Sequence, residues 1–211
     1  MRQTDLTLHP ATESDLNAVV CVHQQAFQGF LMTLLGPRFL KRYYLCVLEY
    51  RQPIFHVVEY DGKVVGFVAG FVNPPRFYET LRQRKKALAL AAASHLVWRP
   101  HLWRRALSSL RRAETIAHDA DMPHQAELAS LGVDPTAQGQ GIGKQLVSAF
   151  LDTAAQMGVQ EVVLTTDAHN NDAVNAFYQR LGFVCTRQFW QTPERLMNEY
   201  RIRLNARGEA V

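Results

Sequence analysis

The sequence predicts a protein of the α/β or α+β class, in which helices cover a central β-sheet. Three observations predict it: strand-like and helix-like patterns are mixed along the chain, a β-hairpin pattern lies in the first third, and two strand patterns lie near the end. Apolar residues make up 47% of the 211 residues, which is enough to build a core. We expect a single domain over residues 1–211.

The first elements are justified by their end signals. Thr12, with Asp15 three residues later, has the spacing of a helix N-cap, and Pro37 suits the first position of another helix. Asp61-Gly62 is favoured in two-residue hairpin turns. The predicted elements are strand 6–9, helices 10–27 and 38–50, and strands 54–60 and 63–71.

The segment of about 74–124 is predicted to be an extra helical insertion. A helical pattern runs from about Pro75 to Ala117 with an interruption at Pro100. Between Arg76 and Arg112 the local charge is +9, against +4 for the whole chain. This pattern fits three arrangements: a helical pair packed on the domain or on a second subunit of a homodimer, a lid over the acceptor site, or a helix on an anionic membrane surface. Nucleic-acid binding is disfavoured, because no aromatic surface for reading bases accompanies the charge.

The later elements alternate between strands and helices. Gly158 and Gly182 stand where helices commonly end. Tyr200, Ile202 and Leu204 alternate along a strand and so share one of its faces. The predicted elements are strand 126–133, a helix that runs to 157, strand 161–166, helix 171–182, and strands 183–190 and 198–204.

A glycine-rich loop, QGQGIGK at residues 138–144, separates a strand pattern from a helix pattern. We call these seven residues the glycine loop. A strand, a glycine loop and a helix N-terminus together present unpaired backbone N–H groups to an anion such as phosphate. A nucleotide triphosphate loop would need GxxxxGK[ST], and a dinucleotide fold would need GxGxxG; neither fits this spacing. The loop does fit [Gln/Arg]-x-x-Gly-x-[Gly/Ala] throughout.

A second motif, NDAVNAFYQRLGF at residues 171–183, follows at some distance. The two motifs, in this order and at this spacing, resemble those of the GNAT superfamily of acetyl-coenzyme A-dependent N-acetyltransferases. The resemblance covers most of the chain except roughly residues 74–124. It implies the acyl-CoA N-acyltransferase fold, which is a mixed, mostly antiparallel and splayed sheet of about six to seven strands flanked by helices.

The resemblance also implies how acetyl-CoA would be bound. The glycine loop would hold the diphosphate through backbone N–H groups. The strand end near Leu131 and Val133 would splay from its neighbour and bind the pantetheine arm, and the N–H of Val133 would hold the thioester carbonyl. Asn171 would cap its helix and is a further candidate to contact the cofactor. The loop residues implied are Gln138, Gly139, Gln140, Gly141, Ile142, Gly143 and Lys144.

Transfer of an acetyl group to an amine needs a base, because a free alkylammonium has a pKa of about 10. Glu127 is our first candidate, since it lies on the strand that leads to the loop, where some members of the family that the chain resembles carry their general base. Tyr178 matches the family tyrosine that acts as general acid near the cofactor sulfur. The reserve candidates for the base are His124, Asp167 and His169.

Two further expectations concern side chains near these motifs. Cys185 lies within a strand pattern with no histidine motif beside it, and we expect it to be buried and inert. The acceptor pocket of this fold is usually built by the first two helices and the loops around them. That indicates Phe27, Phe30, Leu31 and Tyr43, all of which could equally belong to the core.

The sequence thus predicts an N-acetyltransferase that moves an acetyl group from acetyl-CoA to a primary amine of a small molecule, for example an amino sugar, by direct attack in a ternary complex. The alternatives are a peptide N-terminal or lysine acetyltransferase, and a non-catalytic acetyl-CoA sensor acting through its basic helices. No metal is expected. Three separate cysteines and the lack of an apolar leader favour a cytoplasmic protein.

Overall fold

A computed structural model of the chain describes residues 6–96, 121–192 and 195–204. Seven strands form one sheet in the order β1-β2-β3-β4-β5-β7-β6. Only β4 and β5 are parallel, and all other neighbouring pairs are antiparallel. The predicted mixed sheet of six to seven strands is therefore confirmed. The strands are β1 Leu6–Pro10, β2 Pro53–Tyr60, β3 Lys63–Val72, β4 Gln125–Val133, β5 Glu161–Asp167, β6 Val184–Thr192 and β7 Arg195–Arg203.

Helices lie on both faces of this sheet. Seven α-helices fall within the described residues, together with 3-10 turns at Glu13–Asp15 and Pro135–Ala137. The predicted N-cap is present, since Thr12 and Asp15 form a capping box, and Pro37 is the first residue of its helix. The helices are α1 Leu16–Ala26, α2 Leu31–Leu34, α3 Pro37–Leu48, α4 Pro74–Gln83, α5 Lys85–Leu96, α6 Ile142–Gln156 and α7 Asp172–Arg180.

The predicted hairpin between β2 and β3 is present. Tyr60 pairs with Lys63 across a two-residue turn. Asp61 and Gly62 both have positive φ, at 49° and 72°, which is the backbone that the tight turn of a twisted hairpin requires. The local sequence Asp-Gly therefore sets the register of β2 and β3 next to the turn.

Two apolar cores lie on opposite faces of the sheet. The first core packs α6 and α7 against one face and includes Leu146, Phe150 and Tyr178. The second core packs α1, α3 and α4 against the other and includes Tyr44 and Phe77. The predicted face of β7 is confirmed, because Tyr200, Ile202 and Leu204 are all buried in the first core.

The segment after β3 packs on the second core. Phe77 of α4 is buried and stacks on Phe71 of β3, with ring centroids 3.6 Å apart. Leu88 and Ala92 of α5 are also buried, and α5 lies against α3. Two helices of this segment are therefore packed on the domain, up to residue 96. The rest of the basic segment, from residue 97 to Arg112, lies outside the described residues.

The centre of the sheet splays open, as predicted. Parallel pairing joins only Gln125–Glu127 of β4 to Glu161–Val163 of β5. Beyond that point β4 continues along β3 to Val133, and β5 continues along β7 to Asp167. The two central strands therefore separate into a gap that opens toward the glycine loop. Among the described helices, none has the length and apolarity needed to span a bilayer.

Candidate active site

The glycine loop has a backbone that only glycine adopts easily. Gly139 and Gly141 have φ of 80° and 79°, in the left-handed region. A Cβ on either residue would meet no atom within 4 Å, so the space above both is open. Residues 138–141 are exposed, and α6 begins directly after them. The loop therefore turns bare backbone toward an open surface at a helix N-terminus.

The N–H groups of residues 138–144 donate to no group within the described part of the chain. Three of them belong to the first turn of α6, where no intrahelical acceptor exists. The positive end of the helix dipole adds to their field. Asp134 fixes the approach to the loop by accepting from the N–H of Thr136 at 2.8 Å. Free amides at a helix N-terminus are a kind of group to which anions bind.

The end of β4 presents a second row of backbone groups. Asp134 donates its N–H to the carbonyl of Val65 in β3, at 2.8 Å. Because backbone groups alternate in direction along an antiparallel strand, Leu131 and Val133 direct their N–H and C=O groups away from β3. β5 does not pair with either residue. An extended ligand could therefore add to this edge of β4 inside the gap.

A bulge in β4 changes which side chains face the second core. Ala69 of β3 pairs with Ser130, but the next residue, Gly70, pairs with Leu128. Ala129 is therefore an extra residue, and both it and Ser130 lie on the second-core side. Beyond the bulge the side chains alternate between the two faces again, but odd-numbered residues now point to the opposite face. Leu131 and Val133 therefore pack against the first core.

Glu127 lies on the second-core side of β4, before the bulge. The hydroxyl of Tyr78 donates to its Oε1 at 2.8 Å. Burial, the neighbouring Tyr44 and then the negative charge of Glu127 all raise the pKa of Tyr43. The carboxylate is thus half-buried among tyrosines, next to the point where β4 and β5 separate.

Tyr178 lies on the opposite face, in the first core. Its side chain is 6% exposed and packs against the rings of Phe183 and Tyr200. Burial raises its pKa, so the phenol stays protonated at neutral pH. Its hydroxyl makes no hydrogen bond to any of the described residues. A protonated phenol of this kind can serve as a proton donor.

Asn171 occupies the N-cap position of α7, but its side chain makes no capping hydrogen bond. Its amide instead donates to the carbonyl of Asp167, at 3.3 Å. The side chain therefore ties the start of α7 to the end of β5. The predicted position is right, and the predicted capping bond is not formed.

The reserve candidates lie in less suitable places. His124 precedes β4 at the end of the strand away from the glycine loop, with Nδ1 3.4 Å from the carbonyl of Gly158. Asp167 is held by Arg195, whose Nη2 lies 3.0 Å from Oδ2. His169 is exposed. These positions leave Glu127 as the candidate base.

The expectation that Cys185 is buried was wrong, because the residue is exposed. It lies on β6, an edge strand whose first five residues are all exposed. Strand alternation predicts a buried face only where another layer covers the sheet, and the exposure of five consecutive residues shows that both faces are open in this part of β6.

Two of the predicted acceptor-pocket residues, Phe27 and Phe30, contact residues of the strands near the gap. Phe27 lies against Gly132, where a Cβ would be 3.3 Å from its ring. Phe30 is 42% exposed, and Arg195 lies over its ring with its Cζ 5.4 Å from the centroid. Leu31 is half-buried and Tyr43 is buried. The described residues contain no cluster of three or more side chains able to hold a metal ion.

Sequence reasoning missed a buried polar chain beside these residues. His23 of α1 is 3% exposed, and its Nδ1 lies 2.6 Å from the hydroxyl of Tyr44, which lies close to Ser130. Its Nε2 is buried with no hydrogen-bond partner among the described residues. Burial lowers the pKa of His23 to about 4. In the sequence His23 falls at helical spacing on one stripe with Val19, Val20 and Phe27, but this spacing carries no signal of the partner Tyr44.

We expect His23→Phe to remove part of the acid sensitivity of the fold. The folded pKa of about 4 lies below the ordinary value of 6.5, so the unfolded chain binds a proton first and stability is lost as the pH falls from 6.5 toward 4. Between pH 7 and pH 4.5, the wild type should lose about 2 kcal/mol more unfolding free energy than the variant. Urea unfolding at both pH values measures this. The exposed His169→Gln should behave as wild type, and equal losses in wild type and His23→Phe would contradict the assignment.

Comparisons with known proteins concern the family and the fold of the chain. The family model described as Acetyltransferase (GNAT) family matches residues 23–183. A mycothiol acetyltransferase from Kocuria rhizophila is 44% identical over 63 residues, which cover 30% of this chain and 20% of that protein. The match therefore spans about a fifth of the relative's length.

Solved structures share the fold at low identity. A ribosomal-protein-alanine N-acetyltransferase from Brucella melitensis has a TM-score of 0.62 at 19% identity and covers 94% of this chain and 99% of its own. The PaiA N-acetyltransferase from Thermoplasma acidophilum, in complex with coenzyme A, has a TM-score of 0.56 at 13% identity and covers 92% and 98%. With the family model matching most of its length, the chain belongs to the GNAT family of acetyltransferases.

Proposed function

We propose that this protein transfers an acetyl group from acetyl-CoA to a primary amine of a small molecule, by direct attack in a ternary complex. One observation carries the proposal. Seven consecutive backbone N–H groups, at residues 138–144, have no acceptor in the described chain and lie at the N-terminus of α6, beside an open edge of β4. This arrangement suits a diphosphate joined to an extended arm.

The residues present fit acetyl-CoA. The glycine loop would hold the diphosphate, and the open space over Gly139 and Gly141 would admit it. Leu131 and Val133 would bind the pantetheine arm through their backbone groups, and the N–H of Val133 would stabilise the negative oxygen that develops during transfer. Asn171, at the start of α7, is a further contact candidate. Acetyl-CoA supplies an acetyl group that is already activated as a thioester.

The two candidate catalytic groups lie on opposite faces of the sheet. Glu127, on the face of α1, α3 and α4, would accept the proton of the acceptor amine. Tyr178, on the face of α6 and α7, would give a proton to the leaving thiolate. The donor would thus approach from the α6 side and the acceptor from the other, and the two would meet in the gap between β4 and β5.

The acceptor side favours an amine. A carboxylate next to aromatic rings attracts a positively charged ammonium group, both directly and through the faces of the rings. Phe27, Tyr43 and Tyr78 supply such rings on this side. Relatives at more than 40% local identity are named for mycothiol rather than for a peptide or protein, which supports a small-molecule acceptor.

The experiment mixes the protein with acetyl-CoA and a panel of amines that includes amino sugars, peptide α-amines and lysine peptides. Release of free thiol and the mass of the product are measured. We expect thiol release that requires an amine, with no acetylated protein formed in its absence. Binding of acetyl-CoA without release on any amine would overturn the proposal and favour a sensor.

We expect Tyr178→Phe to lower kcat about tenfold or more, because the variant lacks the proton for the leaving thiolate. The free energy of unfolding should change little, since the hydroxyl has no hydrogen-bond partner among the described residues. Initial rates of thiol release and urea unfolding measure the two effects. Tyr200→Phe is the matched control, because Tyr200 is buried in the same core and its hydroxyl contacts Gln179. A full rate in Tyr178→Phe would remove this residue from the mechanism.

A further inference from the structure

The segment between β3 and β4 reaches the candidate base directly. Tyr78, in the second turn of α4, donates a hydrogen bond from its hydroxyl to Oε1 of Glu127 at 2.8 Å. The two residues are 49 positions apart in the sequence. A phenol that a separate helix places on a carboxylate can be a purely structural contact or part of the active site. A helix that is firmly anchored can hold the phenol in one position, as a role in the site requires.

α4 is fixed firmly at its start. Asn73 has the left-handed backbone, with φ of 61°, and donates its N–H to the carbonyl of Gln125 at 2.8 Å. Its side-chain amide donates to Asp121 at 2.6 Å. Pro74 and Pro75 form the first turn of the helix and are buried. These contacts attach the start of α4 to the beginning of β4, the strand that carries Glu127.

The ring of Tyr78 is positioned by the same sheet face. Phe71 of β3 and Glu127 of β4 are register partners, so their side chains point to the same face. The Tyr78 ring meets Phe71 edge to face at 5.7 Å, and Phe77 stacks on the same Phe71. Tyr78 is therefore held over the cross-strand pair that Phe71 and Glu127 form.

We infer that Tyr78 is a positioning residue for Glu127, and that α4 thereby supplies part of the acceptor side of the active site. The inference rests on the proposed function for its catalytic meaning. A phenol O–H donated to a carboxylate favours the ionised form, which is the form a base needs, and it fixes the direction of the carboxylate. Tyr43 of α3 is a further titratable group close to Glu127.

The test is Tyr78→Phe, which keeps the ring contacts and removes only the hydroxyl. Tyr50→Phe is the matched control, because Tyr50 packs edge to face on the same Phe71 and Phe77, while its hydroxyl contacts the carbonyl of Asn73. The carboxyl of Glu127 is titrated by carbon NMR in the protein without substrates, with its resonance assigned by its loss in Glu127→Gln. Transfer rates are then measured across pH.

We expect the titration midpoint of Glu127 to rise by about one pH unit in Tyr78→Phe, because a charge-assisted hydrogen bond is lost. The acid limb of the rate profile should move by the same amount, with kcat about tenfold lower and the KM for acetyl-CoA unchanged. Tyr50→Phe should leave all of these at the wild-type values. An unchanged midpoint would overturn the inference.

A raised midpoint with a full transfer rate would make Tyr78 a structural tie only, and so would also overturn the positioning role. Failure of the proposed function would appear differently. In that case the wild type would transfer no acetyl group to any amine in the panel, while the titration, which needs no substrate, would still show whether Tyr78 controls Glu127.

Discussion

Replacing Gly141 by alanine is expected to weaken coenzyme A binding about 10- to 100-fold. The residue has φ of 79° and lies immediately before α6, with open space above it. Alanine disfavours this backbone and places a methyl group where the diphosphate would approach. Loss of one charge-assisted hydrogen bond from a loop amide costs about 1.5–3 kcal/mol, which corresponds to that change in Kd. Calorimetric titration with coenzyme A measures it.

Gly158→Ala separates lost binding from lost stability. Gly158 has φ of 77° and equally open surroundings, but it follows α6 at the end opposite the loop. Both variants should therefore lose about 1 kcal/mol of unfolding free energy from backbone strain. Only Gly141→Ala should lose affinity. Equal affinity in the two variants would show that the loop does not bind the cofactor.

Glu127→Gln is expected to lower kcat by about 10²- to 10⁴-fold, the range typical for removal of a general base. The amide keeps the shape of the side chain and can still accept the hydrogen bond from Tyr78, so the fold should be retained. The Kd for acetyl-CoA should stay the same, because Glu127 faces the second-core side of β4 and the glycine loop lies elsewhere. Steady-state rates and calorimetry measure the two quantities.

Glu79→Gln provides the control for this substitution. Glu79 follows Tyr78 on α4 and is exposed, so neutralising it changes the same charge close to the same site without touching the base. It should keep the wild-type rate. A rate within about threefold of wild type in Glu127→Gln would show that proton removal depends on another group or on water alone.

The elements that local sequence determines were predicted well. The Asp61-Gly62 turn, the Pro37 helix start and the ends of α6 and α7 each depend on residues within a few positions of one another. Such signals act through the backbone conformations that glycine, proline and aspartate prefer, and these preferences can be inferred from the residue types alone. The glycine loop belongs to this group, and its two left-handed glycines have the backbone that close approach of a ligand requires.

Contacts between distant segments were not predicted. No periodicity indicates that Tyr78 of α4 reaches Glu127 of β4, or that His23 of α1 meets Tyr44 of α3, because each pair is brought together only by the packing of helices on the sheet. The failure at Cys185 has the same origin. Its strand pattern is correct, but whether a strand face is buried depends on what covers it.

The resemblance supplied what the residues alone could not. The splay of β4 from β5 has no local sequence signal, since only the three-residue pairing reveals the separation. The bulge at Ala129 is likewise invisible in the alternation of the strand. Both features arise where the hydrogen-bonded pairing of two neighbouring strands ends or shifts. That pairing is a property of the sheet and not of either segment alone.

The most direct test of the central claim follows the backbone amides themselves. Nitrogen-15 NMR spectra are recorded as coenzyme A is added to the wild-type protein. We predict that the largest changes occur at the N–H groups of residues 138–144, with further changes at Leu131 and Val133. Coenzyme A that binds while those loop resonances stay in place, or that fails to bind at millimolar excess, would contradict the claim that this loop holds the diphosphate.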